Sequence, residues 1–303
     1  MAAQLIQETD IIDVSALTIL VYGPPGAWKT SLAQTAADPI TLDLDRGAHR
    51  AFNRKAVMRF DTWTDINDAG EEIAKRKTVI VDTIGRALDL LAADIIKNNA
   101  KHGTAAGGMS LQGYGVLKAR FAQWMNQLRL AGKDVAFIAH EKEEKDGDDR
   151  YMRPDIVGGS YTEVMKFTDL VGYVGLGRDG SRTLDFNPSD RHLGKNAAGW
   201  NAIKIPDLAE SKTFLADLIT DAKKRIGHTA EASSAVAKAV AEWTAKLDAD
   251  PPLDALNAML PGLTGLTKPI KAQVWAMICG RTEAAGLVFN PADKRFEPKE
   301  LVA

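Results

Sequence analysis

One cysteine in 303 residues, Cys279, rules out an internal disulfide framework and is too few for a cysteine-built zinc site. A lone thiol of this kind reads as a small buried hydrophobe. Apolar runs of membrane-spanning length are missing, as is the charged, apolar and small-residue order of a leader at the N-terminus. No membrane partner is expected, and the expected setting is cytoplasmic. Charge of one sign is also scarce: the net charge of −2 gives no global pull toward nucleic acid, so any such binding must come from local patches. What is present, 45% hydrophobic and 26% charged residues, is the composition of a soluble globular chain. Its length suits one large domain or a large and a small one.

Against this background the stretch from Ile19 to Leu32, ILVYGPPGAWKTSL, organises the reading. A short apolar strand runs into a Gly/Pro turn, and Lys29-Thr30 open a helix. Backbone N–H groups at such a turn and helix start converge on an anion that the helix dipole also favours. Gly23, Pro24, Pro25, Gly26, Ala27, Trp28, Lys29, Thr30 and Ser31 would cradle a nucleotide, with Lys29 on the outer phosphates and Thr30 on Mg²⁺. The G-x-x-x-x-G-K-[ST] pattern is broken once, because its second glycine is Trp28. A bulky side chain opposes a tight turn and close phosphate approach, so binding is expected while fast hydrolysis is not assured.

Further along, a short strand ends in Asp43 and Asp45, followed by Arg46-Gly47. Acidic residues at the carboxyl end of a strand lie where open α/β sheets bind ligands, and Asp45 would orient the attacking water. An ordinary Asp-Arg-Gly turn accounts for the same letters. The run Thr78-Val-Ile-Val-Asp82 is β-branched throughout, as a strand covered on both faces requires, and its aspartate is placed for Mg²⁺. Asn99 to Gly115 loses all periodicity and holds five glycines. Lys101, His102 and Tyr114 there would meet a nucleic-acid strand by charge and stacking, unless the segment is a plain surface loop. The strand Asp134 to His140 ends in a polar residue, either a γ-phosphate sensor or a boundary histidine. The polar segment Glu141 to Val157 is read as a loop, with Lys142, Lys145, Arg150, Tyr151 and Arg153 as candidate DNA contacts. Lys195, in a basic turn, would reach a nucleotide held by a neighbouring subunit or stay solvated.

The motifs GPPGAWKT, DLDRG, VIVDT, GGMSLQGYGVL and FIAHEKEE…GGSYTEVMKFTDL, in this order over residues 15 to 226, resemble the RecA-like ATPase core. They look closest to phage-encoded AAA-type nucleotide-binding proteins, among them the Sak-group single-strand annealing proteins. The resemblance implies an α/β fold, a RecA-like P-loop NTPase core with a mainly parallel sheet flanked by helices. It also implies ATP and Mg²⁺ as cofactors, single-stranded DNA as partner, and a homo-oligomer, ring or filament. A phage origin would make the setting the bacterial host cytoplasm. Lys29, Asp45, Asp82 and His140 fall on catalytic or sensing positions; Asp45 stands where a glutamate is usual, and His140 where a glutamine senses the γ-phosphate. A weak, DNA-stimulated ATPase is the expected activity.

The expected organisation is a core of residues 1–228, a linker at 229–234 and a small helical module at 235–303 that docks a protein partner such as a single-strand-binding protein. A different class of function stays open: a nucleotide-dependent switch or assembly protein acting through that module without DNA activity.

Overall fold

The structure, a computed structural model, describes residues 5, 10, 14–146, 149–156 and 160–299. The apolar/polar pattern of residues 1–16, which reads as an extra strand or a docking arm, and Gly158-Gly159-Ser160, which reads as a helix cap, lie largely outside the described residues. Two compact units are present, one of residues Val14–Ile226 and one that contains Gly227–Ala303. Among the described residues no helix is long and apolar enough to cross a membrane.

In the first unit β1 (Thr18–Gly23) leads into α1 (Lys29–Ala33), followed by β2 (Pro39–Asp43), β3 (Ala56–Arg59), α2 (Trp63–Asp68) and α3 (Gly70–Ala74). Then come β4 (Thr78–Asp82), α4 (Ile84–Asn98), α5 (Leu111–Leu130), β5 (Asp134–Asp146) and β6 (Asp149–Pro154). The unit continues with α6 (Ser160–Phe167), β7 (Leu170–Leu176), β8 (Arg182–Asp185), β9 (Lys195–Asn196) and β10 (Ile203–Lys204). The strand order is β10-β8-β7-β1-β5-β4-β2-β3, with β6 on β5 and β9 on β7. From β3 to β7 all neighbours are parallel, and antiparallel pairing is confined to β8, β9, β10 and the β5–β6 hairpin. This is the α/β arrangement that the sequence implied.

Strand alternation explains why both faces are covered. In β1, Leu20 and Tyr22 join a core formed with α2, α4 and α5, while Ile19 and Val21 join one with α1 and Leu215 and Ile219 of the helix α7 (Phe214–Asp248). Continuous apolar strands are what helices on both sides of a parallel sheet demand.

Three expectations are corrected. The glycine-rich segment is not structureless up to Gly115: α5 starts at Leu111, where the Ser110 hydroxyl accepts a hydrogen bond from Gly113 N–H, so Tyr114 lies in a helix. The polar segment after His140 is a hairpin rather than a loop: β5 and β6 pair antiparallel, and the diagonal ion pairs Glu143–Arg150 and Glu144–Arg153 cross between the strands. The linker expected at 229–234 is part of α7, which runs on to Asp248; its alanine and glutamate content favours helix over coil. The second unit also holds more than helices. After α8 (Leu253–Met259) and α9 (Lys268–Ala284) comes the hairpin of β11 (Leu287–Asn290) and β12 (Arg295–Pro298). Cys279 is partly buried in that unit, and burial raises its thiol pKa.

Two glycines in α5 test this packing. A Cβ on Gly113 would sit 2.5 Å from the His102 carbonyl oxygen, whereas one on Gly115 meets nothing within 4 Å. Gly113→Ala is expected to cost about 1–3 kcal/mol and Gly115→Ala to add about 0.5–1 kcal/mol, read from urea unfolding of the two variants side by side.

Candidate nucleotide site

β1 ends at Gly23, whose Cβ, if present, would lie 2.7 Å from the Val174 carbonyl oxygen of β7. Glycine is therefore required where the chain leaves the sheet. Gly26 takes φ +76°, and Trp28, just before α1, takes φ 66° and ψ 22°. The tryptophan thus has the left-handed backbone for which glycine is usually selected, at a cost on the order of 1–3 kcal/mol. Its indole offsets that cost. Arg182 of β8 stacks its guanidinium 3.5 Å from the ring centroid and donates to the Gly26 carbonyl at 3.4 Å, and Phe52 meets the indole edge-to-face with centroids 5.5 Å apart. A cation over an indole contributes about 0.5–2 kcal/mol, more where water is excluded, and both groups here are half-buried.

Lys29 is only 7% exposed, and its Nζ donates to the Gly23 and Pro24 carbonyls at 2.8 Å each. Burial lowers its pKa, partly opposed by the carboxylates of Asp82 and Glu141. Among the described residues it makes no ion pair, and its hydrogen bonds go to the two carbonyls. Thr30 Oγ1 donates to Asp82 Oδ2 at 2.6 Å. Asp82 is buried at the end of β4, and its pKa is pushed up to about 6 by desolvation, with Asp45 and Asp43 adding; the Thr30 hydrogen bond and Lys29 oppose. These residues fit an anion beside Lys29 and a cation beside Asp82, since each partner would relieve an uncompensated buried charge.

The two carboxylates after β2 divide their work. Asp43 is fully buried and accepts from the N–H groups of Gly47 at 2.8 Å and Ala48 at 3.2 Å, so it holds the turn. The Leu44 and Asp45 N–H groups bond the Asp82 carbonyl at 2.8 and 3.3 Å, which ties that turn to the end of β4. Asp45 faces the cavity, with Oδ2 at 3.4 Å from His140 Nε2 and Oδ1 at 3.5 Å from Arg86 Nε. A cavity of about 380 Å³ is lined by Gly26 to Ser31, Asp45, Asp82 and His140, so the expected P-loop and carboxylate residues do converge. Arg50, Arg86 and Arg182 were not anticipated. Arg50 lines the same cavity, Arg86 holds Asp45, and Arg182 holds Trp28; each comes from a segment with no motif, and only tertiary contact reveals it.

The remaining candidates lie elsewhere. Lys195 does not line this cavity, and its Nζ donates to the Thr168 carbonyl at 2.5 Å. Lys101 and His102 form a 3₁₀ turn, while Tyr114 lines a separate cleft of about 300 Å³ with Leu88 and Met109. In the hairpin, Glu144 pairs with Arg153 and accepts from Tyr151 at 3.1 Å, and Glu143 is 3.4 Å from Arg150. Lys142 and Lys145 carry no ion pair of their own among the described residues.

A parallel sheet with a P-loop between β1 and α1, and an acidic residue ending β4, defines a P-loop NTPase of RecA-like fold. The chain belongs to the AAA domain family: the AAA_24 model, described as an AAA domain, matches residues 15–198. No curated protein matches it by sequence. Among solved structures it is similar to a KaiC-like protein from the hyperthermophilic archaeon Pyrococcus horikoshii OT3, with 10% identity and a TM-score of 0.36, over 65% of this chain and 99% of that one.

Two variants probe the site. Moving the Asp82 carboxyl from 3.8 to about 6 corresponds to about 3 kcal/mol. The folded state then binds the extra proton, so that stabilisation is present below pH 3.8 and is lost as pH rises through about 6. Without nucleotide, Asp82→Asn should be more stable than the parent at neutral pH by up to that amount, with the gap closing near 3.8 in denaturation series across pH. Trp28→Gly keeps the same backbone conformation and is expected to leave nucleotide affinity, measured by calorimetry, within about threefold. A gain of several orders of magnitude would mean that the indole blocks the site.

Proposed function

We propose that this chain is an ATP- and Mg²⁺-dependent protein that binds and anneals single-stranded DNA as a homo-oligomer, akin to the phage Sak-group proteins. In this reading Lys29 binds the outer phosphates, and Thr30 and Asp82 hold the cation. Among the described residues no three His, Cys, Asp or Glu side chains converge as a metal site of their own. Mg²⁺ is usually held by one or two carboxylates together with substrate phosphates, and Asp82 beside Thr30 at the phosphate loop supplies one such carboxylate. Bound Mg²⁺ would neutralise charge developing on the phosphates. Asp45 orients water, steadied by His140 and Arg86, and its side chain is shorter than the usual glutamate, in keeping with weak ATPase activity. Lys195 serves the site of a neighbouring subunit.

The observation that carries the DNA reading is the continuity of β5. The strand pairs with β1 and β4 inside the sheet, reaches His140 beside Asp45, and then extends without a break into the hairpin that bears Lys142 and Lys145. A change at the phosphates that moves His140 therefore acts on the hairpin through one rigid element. Pairing of Glu143 and Glu144 with the hairpin's own arginines leaves the two lysines for phosphate contact. A second reading, a nucleotide switch without DNA activity, is favoured by the excess of acidic over basic residues between Glu141 and Arg153.

Fluorescence polarisation of a labelled single-stranded oligonucleotide, at low and high salt and with or without ATP and Mg²⁺, separates the two. The expected result is salt-sensitive binding that ATP alters, weakened about tenfold when Lys142 and Lys145 are both changed to glutamate. Lys29→Ala should abolish the ATP effect and spare basal binding. Absence of binding in every condition would overturn the DNA reading and leave the switch.

A further inference from the structure

The second unit carries a groove that the nucleotide site does not use. Its core is built on Trp243, Leu256, Leu263, Val274, Ile278 and Phe296. Beside that core, between the 3₁₀ turn Leu260–Gly265, α9 and the turn of the β11–β12 hairpin, lies a concavity of about 700 Å³. Its walls are apolar, with Leu260, Leu263, Trp275 and Phe289. Its rim is cationic: Lys268 and Lys271 come from the start of α9 and Lys294 from the hairpin turn, and all three are exposed.

The charge that lines this groove is of one sign among the described residues. Among the described residues no aspartate or glutamate lines the groove, and none of the three lysines has an ion pair. Two arginines of the unit are matched, Arg281 with Asp248 and Arg295 with Glu297. Three unmatched ammonium groups around an apolar hollow form a surface whose complement is anionic at its edge and hydrophobic at its centre. We infer that the groove binds a short acidic peptide segment of a partner protein, with an apolar side chain of the peptide anchored against Leu260 and Trp275.

The aromatic geometry selects peptide over nucleic acid. Trp275 meets Phe289 edge-to-face at 4.8 Å and lies 5.8 Å from Phe296 at 31°, while Phe289 meets Phe296 at 5.2 Å. The rings cover one another, whereas single-stranded nucleic acid is held by open aromatic faces on which bases stack. Ring edges and aliphatic walls suit an inserted leucine or phenylalanine. The inference goes beyond the nucleotide reading and does not rest on it.

The test uses the full chain and a fluorescein-labelled peptide of aspartates and glutamates that carries one leucine and ends in phenylalanine. Polarisation should show saturable binding that weakens with salt. The joint change Lys268→Glu, Lys271→Glu, Lys294→Glu, on exposed positions, should weaken it about tenfold or more. Converting the peptide's acids to amides, or its leucine and phenylalanine to glycine, should each do the same. Lys29→Ala should leave peptide binding unchanged, so failure of the nucleotide reading is told apart from failure of this one. The inference is overturned by absence of saturable binding, or by full binding in the triple variant. Displacement of the peptide by a single-stranded oligonucleotide that needs the same lysines would reassign the groove to nucleic acid. Self-association of the chain that vanishes in the triple variant would reassign it to a second copy.

Discussion

A buried ammonium and a buried carboxyl group, unpaired with each other, set the terms for this molecule. Lys29 is held by two backbone carbonyls and Asp82 by one threonine hydroxyl, and desolvation pushes both pKa values toward the neutral forms. Unmatched charge in such a place is costly, and it persists only where surrounding structure enforces it. The enforcement is visible. Gly23 must pass under the Val174 carbonyl, the Asp82 carbonyl anchors the turn that carries Asp45, and Asp43 is spent on the same turn. The fold holds in readiness a site that an anion and a cation together would relax.

Trp28 shows how a local rule can be broken without loss of the local shape. The residue keeps the left-handed conformation of the glycine it replaces, and the strain is offset by a guanidinium from β8 and a ring from the segment after β2. Those two partners, Phe52 and Arg182, come from separate segments of the chain. Sterics read from one position would count the indole only as an obstacle. In the assembled site it is the piece that joins the P-loop to the sheet edge.

β5 links chemistry to surface. Its first half is buried sheet and its second half is a solvent-facing hairpin, and His140 sits at the change. Up to Ile138 the strand is paired on both sides, and from Glu141 onward it is paired with β6. Two of the hairpin's acids, Glu143 and Glu144, are paired with arginines of the facing strand.

Much of this was legible along the chain. The apolar runs ending in Gly23, Asp43, Asp82 and His140 mark parallel strands, and Lys29-Thr30 marks the helix start, because strand burial and phosphate-loop geometry act on consecutive residues. Less legible were the hairpin after His140, the start of α5 at Leu111, and the continuation of α7 through 229–234, where polar or small residues mask regular structure. Polarity there masks cross-strand pairing in the hairpin, the Ser110 cap at the start of α5 and simple helix propensity in α7. Which of Asp43 and Asp45 faces the cavity, what steadies Trp28, and that three lysines ring one groove were matters for the folded chain. Each depends on side chains brought together from separate segments, and composition and spacing carry no record of such meetings.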